Sequence, residues 1–175
     1  IMIQLGCRCN ELLAREDVTG IVITHGTDTM EETAYFLHLL VHSKKPVVLT
    51  GSMRPATAIS ADGPANLYNA VKVAIDAQSV GKGVLIAMND DIFSARDVVK
   101  SNTENLATFT AHNGGKLGVL VAGQPRFYNQ PIRKHTADSQ FAISADAKLP
   151  KVFILYSHAG ESGELVAAAV AAGAQ

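Results

Sequence analysis

Gly20-Ile-Val-Ile-Thr-His-Gly-Thr-Asp-Thr-Met-Glu-Glu-Thr33 runs an apolar, β-branched stretch into a polar turn and then into a helix start. A short β-branched run reads as a buried strand, and the acidic residues that follow suit a first helical turn. In open α/β sheets, ligands bind in the crevice at the carboxyl ends of the strands. Gly26, Thr27 and Asp28 occupy that position here, so the turn is where chemistry is expected.

The same alternation extends outward. Pro46–Thr50, Gly83–Met88 and Val152–Tyr156 read as further strands, with helical patterns between most of them. Such alternation argues for βαβ units. The expected fold is α/β: a mostly parallel sheet with helices on both faces, plus the start of a second, smaller α/β domain. Asp28 with Glu31 three residues on has the spacing of a capping box, and Pro64 after Asp62-Gly63 announces another helix. Between them lies 51–63, longer than most connections inside compact domains, and such loops are more often functional than idle. From about Phe93 to Phe141 the helical period fades into short strands and turns, some of the strands antiparallel. The expected division is 1–132 as part of a first domain, 133–150 as a polar linker, and 151–175 as the start of the next. Ile1 and Gln175 both fall in helical patterns, so a fragment is expected.

Composition excludes several classes. The 175 residues carry 15 Lys+Arg against 16 Asp+Glu, a net charge of −1, and no basic block suited to a phosphate backbone, so nucleic acid is not an expected partner. No apolar run approaches the roughly 20 residues that span a bilayer. Cys7 and Cys9, two apart on a helix, point to different faces and suit neither a bridge nor a shared metal. Walker A, Gly-x-Gly-x-x-Gly and Gly-x-Ser-x-Gly patterns do not occur. His38 and His42 have i,i+4 spacing but no third ligand, so no metal is expected.

Each candidate site residue has a plainer reading beside the chemical one. Asp28 is either a helix cap or a carboxylate for a cationic ligand group. Ser52-Met-Arg-Pro55 is either a second piece of the site or a surface loop held by an Arg54 ion pair. Lys100, about a dozen residues beyond the third strand, is either a solvated charge or a buried amine. A lysine taken out of water holds its proton less firmly and can take one from a hydroxyl or a water, while a neighbouring carboxylate opposes that loss.

Taken together, Ile21–Phe36, Lys45–Thr57, Ser60–Pro64 with Asn66–Val71, Asn89-Asp90, Arg96–Lys100 and Arg133–Thr136 carry a resemblance from Glu11 to about Phe141. The chain resembles the bacterial-type L-asparaginases, the asparaginase/glutaminase family. That resemblance implies hydrolysis of L-asparagine to L-aspartate and ammonia without metal or organic cofactor. It implies that Thr27, Asp28 and Lys100 handle protons near the scissile amide. Gly26, Thr27, Asp28 and Ser52 would contact substrate, Asp28 through the α-ammonium and Ser52 through its backbone carbonyl. The family's N-terminal Thr-Gly-Gly-Thr-Ile segment, which carries the nucleophilic threonine, is not among these residues, and the isolated chain is expected to be inactive. The resemblance further implies a homotetramer when full length. The wording around Ala61-Asp-Gly-Pro points to the exported type II subclass, periplasmic or secreted, with a cytoplasmic location as the alternative. Two other readings remain: a glutaminase-asparaginase that also takes L-glutamine, and a non-catalytic amino-acid-binding remnant.

Overall fold

Strand β2 (Val47–Thr50) is buried along its whole length and lies between β1 (Ile21–Thr24) and β3 (Val84–Met88), parallel to both. The computed structural model describes residues 1–175. Because side chains alternate across a strand, the continuous apolar runs serve two cores at once. Val47, Leu49, Val84, Ile86 and Met88 face helices α1 (Met2–Leu13) and α2 (Met30–Leu40), together with Met30, Ala34 and Leu37. Val48, Leu85 and Ala87 face α3 (Gly63–Ile75), with Ala70, Val73 and Ala74. Each such fully buried large side chain contributes roughly 1.5–3 kcal/mol. Helices therefore cover both faces. In α1, Cys9 is buried and Cys7 half-buried, and both are free thiols.

The second half of the sheet is antiparallel, in line with the short strands read over 93–141, which leaves the sheet less parallel overall than expected. After β3 come β4 (Asp91–Ser94), β7 (Gly118–Val121) and β8 (Gln124–Phe127), in spatial order β1-β2-β3-β4-β7-β8. All three of these added pairings are antiparallel, so the sheet is mixed. The connections explain two of the three. Asn89-Asp90 joins β3 to β4 and Ala122-Gly123 joins β7 to β8, all four with positive φ. Two-residue turns of that hand can join only antiparallel neighbours, whereas a parallel pair needs a crossover of about a dozen residues. A separate ladder pairs β5 (Val99–Lys100) with β6 (Phe109–Thr110). Buried Phe109 anchors that ladder to the core beneath α2.

The chain divides into two compact units, Ile1–Ala145 and Asp146–Gln175. The first takes in part of the stretch expected as linker. A single 3-10 turn at Thr136–Asp138 packs on α2, and Ser139 Oγ donates to the Leu39 carbonyl at 2.5 Å. The His135 ring lies 4.7 Å from that of His38. Gly83, at φ +78°, makes room for both, since a Cβ there would fall 2.5 Å from His38 Cε1 and 2.8 Å from His135 Nδ1. His38 is buried and uses Nδ1 to accept the Val84 N–H, while His42 is exposed, so the two rings do not present a common metal site. In the second unit the expected strand Val152–Tyr156 does not form. All five residues are exposed and no strand of this chain pairs with them; an apolar run supplies only half of a ladder. Helix α4 (Glu164–Ala171) follows. No helix is long and apolar enough to cross a membrane.

One buried group in the first unit lacks a partner. The Ser79 hydroxyl, in the one-turn 3-10 helix Ala77–Ser79, is fully buried without a hydrogen bond. Leaving such a group unsatisfied costs about 1–3 kcal/mol. Ser79→Ala is therefore expected to stabilise the fold by about 1 kcal/mol, measured as a higher urea midpoint at unchanged slope.

Candidate active site

Strands β1 and β2 end in register, Thr24 beside Thr50, and the His25 N–H donates to the Thr50 carbonyl at 2.8 Å. The chain segments that leave these ends therefore start side by side. Gly51 permits the contact: a Cβ there would lie 2.4 Å from the His25 carbonyl oxygen, 2.9 Å from Met30 Cε and 3.5 Å from Thr27 Cγ2. A cleft of about 420 Å³ opens at this point, lined by Thr24, His25, Gly26, Gly51, Ser52 and Gly63 among others. A larger depression of about 640 Å³ lies by Lys82 and Phe127 and includes none of these residues.

Asp28 does not cap α2. The capping position is Thr29, which makes no side-chain cap bond, and the Asp28 carboxylate, 91% exposed, instead meets Lys100 Nζ at 2.6 Å. The same ammonium lies 2.9 Å from Thr27 Oγ1, and the Lys100 side chain is only 13% exposed. Amine, hydroxyl and carboxylate thus converge from segments far apart in sequence. Glu31 does not close a capping box either. Its Oε2 accepts the backbone N–H of Lys100, tying β5 across the first turn of α2. The hydrogen bond from Lys100, and then its charge, holds the Asp28 carboxyl below the usual carboxylate range. At neutral pH the triad offers an anionic oxygen to a cationic ligand and a nitrogen within proton-transfer reach of a hydroxyl.

His25 holds the turn. Its Nδ1 lies 2.7 Å from the Gly26 carbonyl, which can only accept, so Nδ1 carries a proton. In the neutral ring Nε2 then accepts from Thr33 Oγ1 at 3.0 Å. Nor does Arg54 form an ion pair in the 51–63 loop. It donates to the Ser60 carbonyl at 3.0 Å, and Asp62 organises the loop by accepting the backbone N–H groups of Met53 and Arg54, each at 2.9 Å. Buried Asn66 donates to the Gly51 carbonyl and to Asp62, and accepts the Asn89 N–H. The capping-box spacing misplaces Glu31, and nothing in the local pattern alone assigns Asp62 or Asn66 to the site. The Asp-Gly-Pro-x-Asn spacing, which puts an acceptor and an amide one turn apart at a helix start, is the nearest signal of the last two.

A family profile described as "Asparaginase, N-terminal" matches residues 1–133. The chain belongs to the asparaginase family. Among its relatives, the L-asparaginase 2 of Bacillus subtilis is 54% identical over 175 residues, covering 100% of this chain and 46% of that protein. The glutaminase-asparaginase of Acinetobacter glutaminasificans is 50% identical over 158 residues, covering 89% of this chain and 47% of that one. The crystal structure of a probable cytoplasmic L-asparaginase from Campylobacter jejuni superposes with a TM-score of 0.94 at 48% identity, covering 99% of this chain and 55% of that one. This asparaginase-family chain thus spans about half the length of the curated relatives it matches. Its α/β architecture is that of the solved family structure. The converged triad and the Gly51–Ser52 cleft both lie within the part matched to the asparaginase profile.

Proposed function

We propose that these residues carry the proton-handling and substrate-holding part of an amidohydrolase that converts L-asparagine to L-aspartate and ammonia, with no metal or organic cofactor. The observation that carries the reading is Lys100 Nζ, mostly out of water and within hydrogen-bond distance of both Thr27 Oγ1 and Asp28 Oδ1. Lys100 and Thr27 relay a proton near the scissile carboxamide. Asp28, ionised and exposed on one side, takes the substrate's α-ammonium while anchoring Lys100. Gly26 leaves room for the substrate backbone, and the Ser52 carbonyl accepts from the leaving amide nitrogen. In the full-length protein, residues 1–132 belong to the first domain, 133–150 link it onward and 151–175 open a second. That protein is a homotetramer exported to the periplasm or beyond.

The test is ammonia release from L-asparagine by the full-length protein, with L-glutamine as competitor. Turnover of asparagine is expected. A glutamine kcat/KM of similar size would move the substrate reading to glutaminase-asparaginase, and release from neither amide would end the proposal.

A further inference from the structure

We infer that Asp62, seated on Asn66, is a positioning residue that aims the Ser52 carbonyl at the substrate's carboxamide nitrogen; this inference rests on the amidohydrolase reading above. The reason is peptide geometry. No peptide bond in the chain is cis, and in a planar trans peptide the N–H and C=O of one unit point in opposite directions. The Met53 N–H and the Ser52 C=O belong to one such unit. Since Asp62 Oδ2 accepts the Met53 N–H at 2.9 Å, the Ser52 carbonyl is turned away from Asp62. It accepts no hydrogen bond within the chain.

The unit on the other side of Ser52 is pinned as well. Asn66 Nδ2 donates to the Gly51 carbonyl at 3.1 Å, which turns the Ser52 N–H away from Asn66 in the same manner. Both peptide planes flanking Ser52 are therefore set by two side chains that themselves share a hydrogen bond at 3.0 Å. Asn66 is buried, and its Oδ1 is fixed by the Asn89 N–H at 3.0 Å, so the pair is held on helix α3 and on the β3–β4 turn. Burial works to raise the Asp62 carboxyl, but the Met53 and Arg54 amides, its own N–H and Asn66 outweigh it and hold the group below the usual range. Asp62 is thus an ionised, acceptor-only group at any working pH, which suits two backbone N–H donors.

A carbonyl aimed this way has something to accept from a carboxamide, which carries N–H, and nothing to accept from an ester, which has oxygen in that place. The Asp62→Ala variant of the full-length protein leaves the Met53 N–H without its acceptor and frees the Ser52–Met53 peptide to turn. Its kcat/KM for L-asparagine, divided by that for the β-methyl ester of L-aspartate, is expected to fall about ten-fold, the worth of one misaligned hydrogen bond. A merely structural role lowers both substrates together and leaves the ratio unchanged, which would overturn the inference. Should Asp62→Ala fail to fold, Asp62→Glu, which keeps the charge and shifts the oxygens by one methylene, is read by the same ratio with the same two outcomes. Absence of asparagine hydrolysis by the unaltered protein removes the underlying reading, and this inference with it; hydrolysis with an unchanged ratio removes this inference alone.

Discussion

Lys100→Met in the full-length protein is expected to lower asparagine kcat by about 10²–10⁴-fold, the usual worth of a positioned proton-transfer group, with little change in thermal midpoint. Methionine matches the length and the half-buried setting of the lysine stem but can neither donate nor accept a proton. Thr27 Oγ1 loses its neighbour at 2.9 Å and Asp28 its partner at 2.6 Å. The stability cost is small because Asp28 is 91% exposed and simply hydrates. The Lys100 backbone N–H still reaches Glu31, and Phe109 still anchors the β5–β6 ladder. Asp28→Asn should behave differently and raise KM, since the lost charge would have faced the substrate's ammonium. A Lys100→Met enzyme within three-fold of the unaltered one would show that the amine takes no part in the chemical step.

The legible part of this fold was what local chemistry dictates. Val47–Thr50 and Val84–Met88 announce themselves as doubly buried strands, and Pro64 marks the start of α3. The turn at Gly26–Asp28 was placed at a strand's carboxyl end by the same reasoning. What sequence could not supply were competitions decided by distant segments. Asp28 had a good cap position, yet a lysine 72 residues away takes its carboxylate, and a charged donor outbids a backbone N–H. Glu31 lost its capping role to the backbone of that same lysine. Antiparallel strands were legible over 93–141, but that they make up half of the main sheet turned on the left-handed conformations of Asn89-Asp90 and Ala122-Gly123, and only the second pair contains a glycine to signal it. Val152–Tyr156 had strand composition without a ladder to join.

Folding stability is expected to fall as pH drops below about 6.5, and His38 is the main cause. Its side chain is 2% exposed, and burial, then the positive charges of His135 and Arg96, push it down to about 3. Around it stand the His135 ring at 4.7 Å and Tyr35 stacked at 6.4 Å; Tyr35 is itself bonded to Arg96. Nδ1 accepts the Val84 N–H, so the neutral ring carries its proton on Nε2. In the unfolded chain the ring titrates near 6.5. Above that pH it is neutral in both states and its contribution is fully present. Between about 6.5 and 3 the unfolded chain binds a proton that the folded one refuses, and stability falls by about 1.4 kcal/mol per pH unit. His135, lowered by burial against the opposing charge of Asp138, adds in the same direction. Asp28 and Asp62 cannot account for a loss at pH 5, because carboxyls held below their ordinary range stay ionised there in the folded state. Urea unfolding at pH 7.5 and 5.0 measures the difference, and His38→Leu isolates its source. That variant should be less stable at pH 7.5 by about 1–3 kcal/mol, because the Val84 N–H is left buried without an acceptor. It should nevertheless lose clearly less stability than the unaltered protein on going to pH 5.0, and equal losses in the two proteins would remove His38 as the cause.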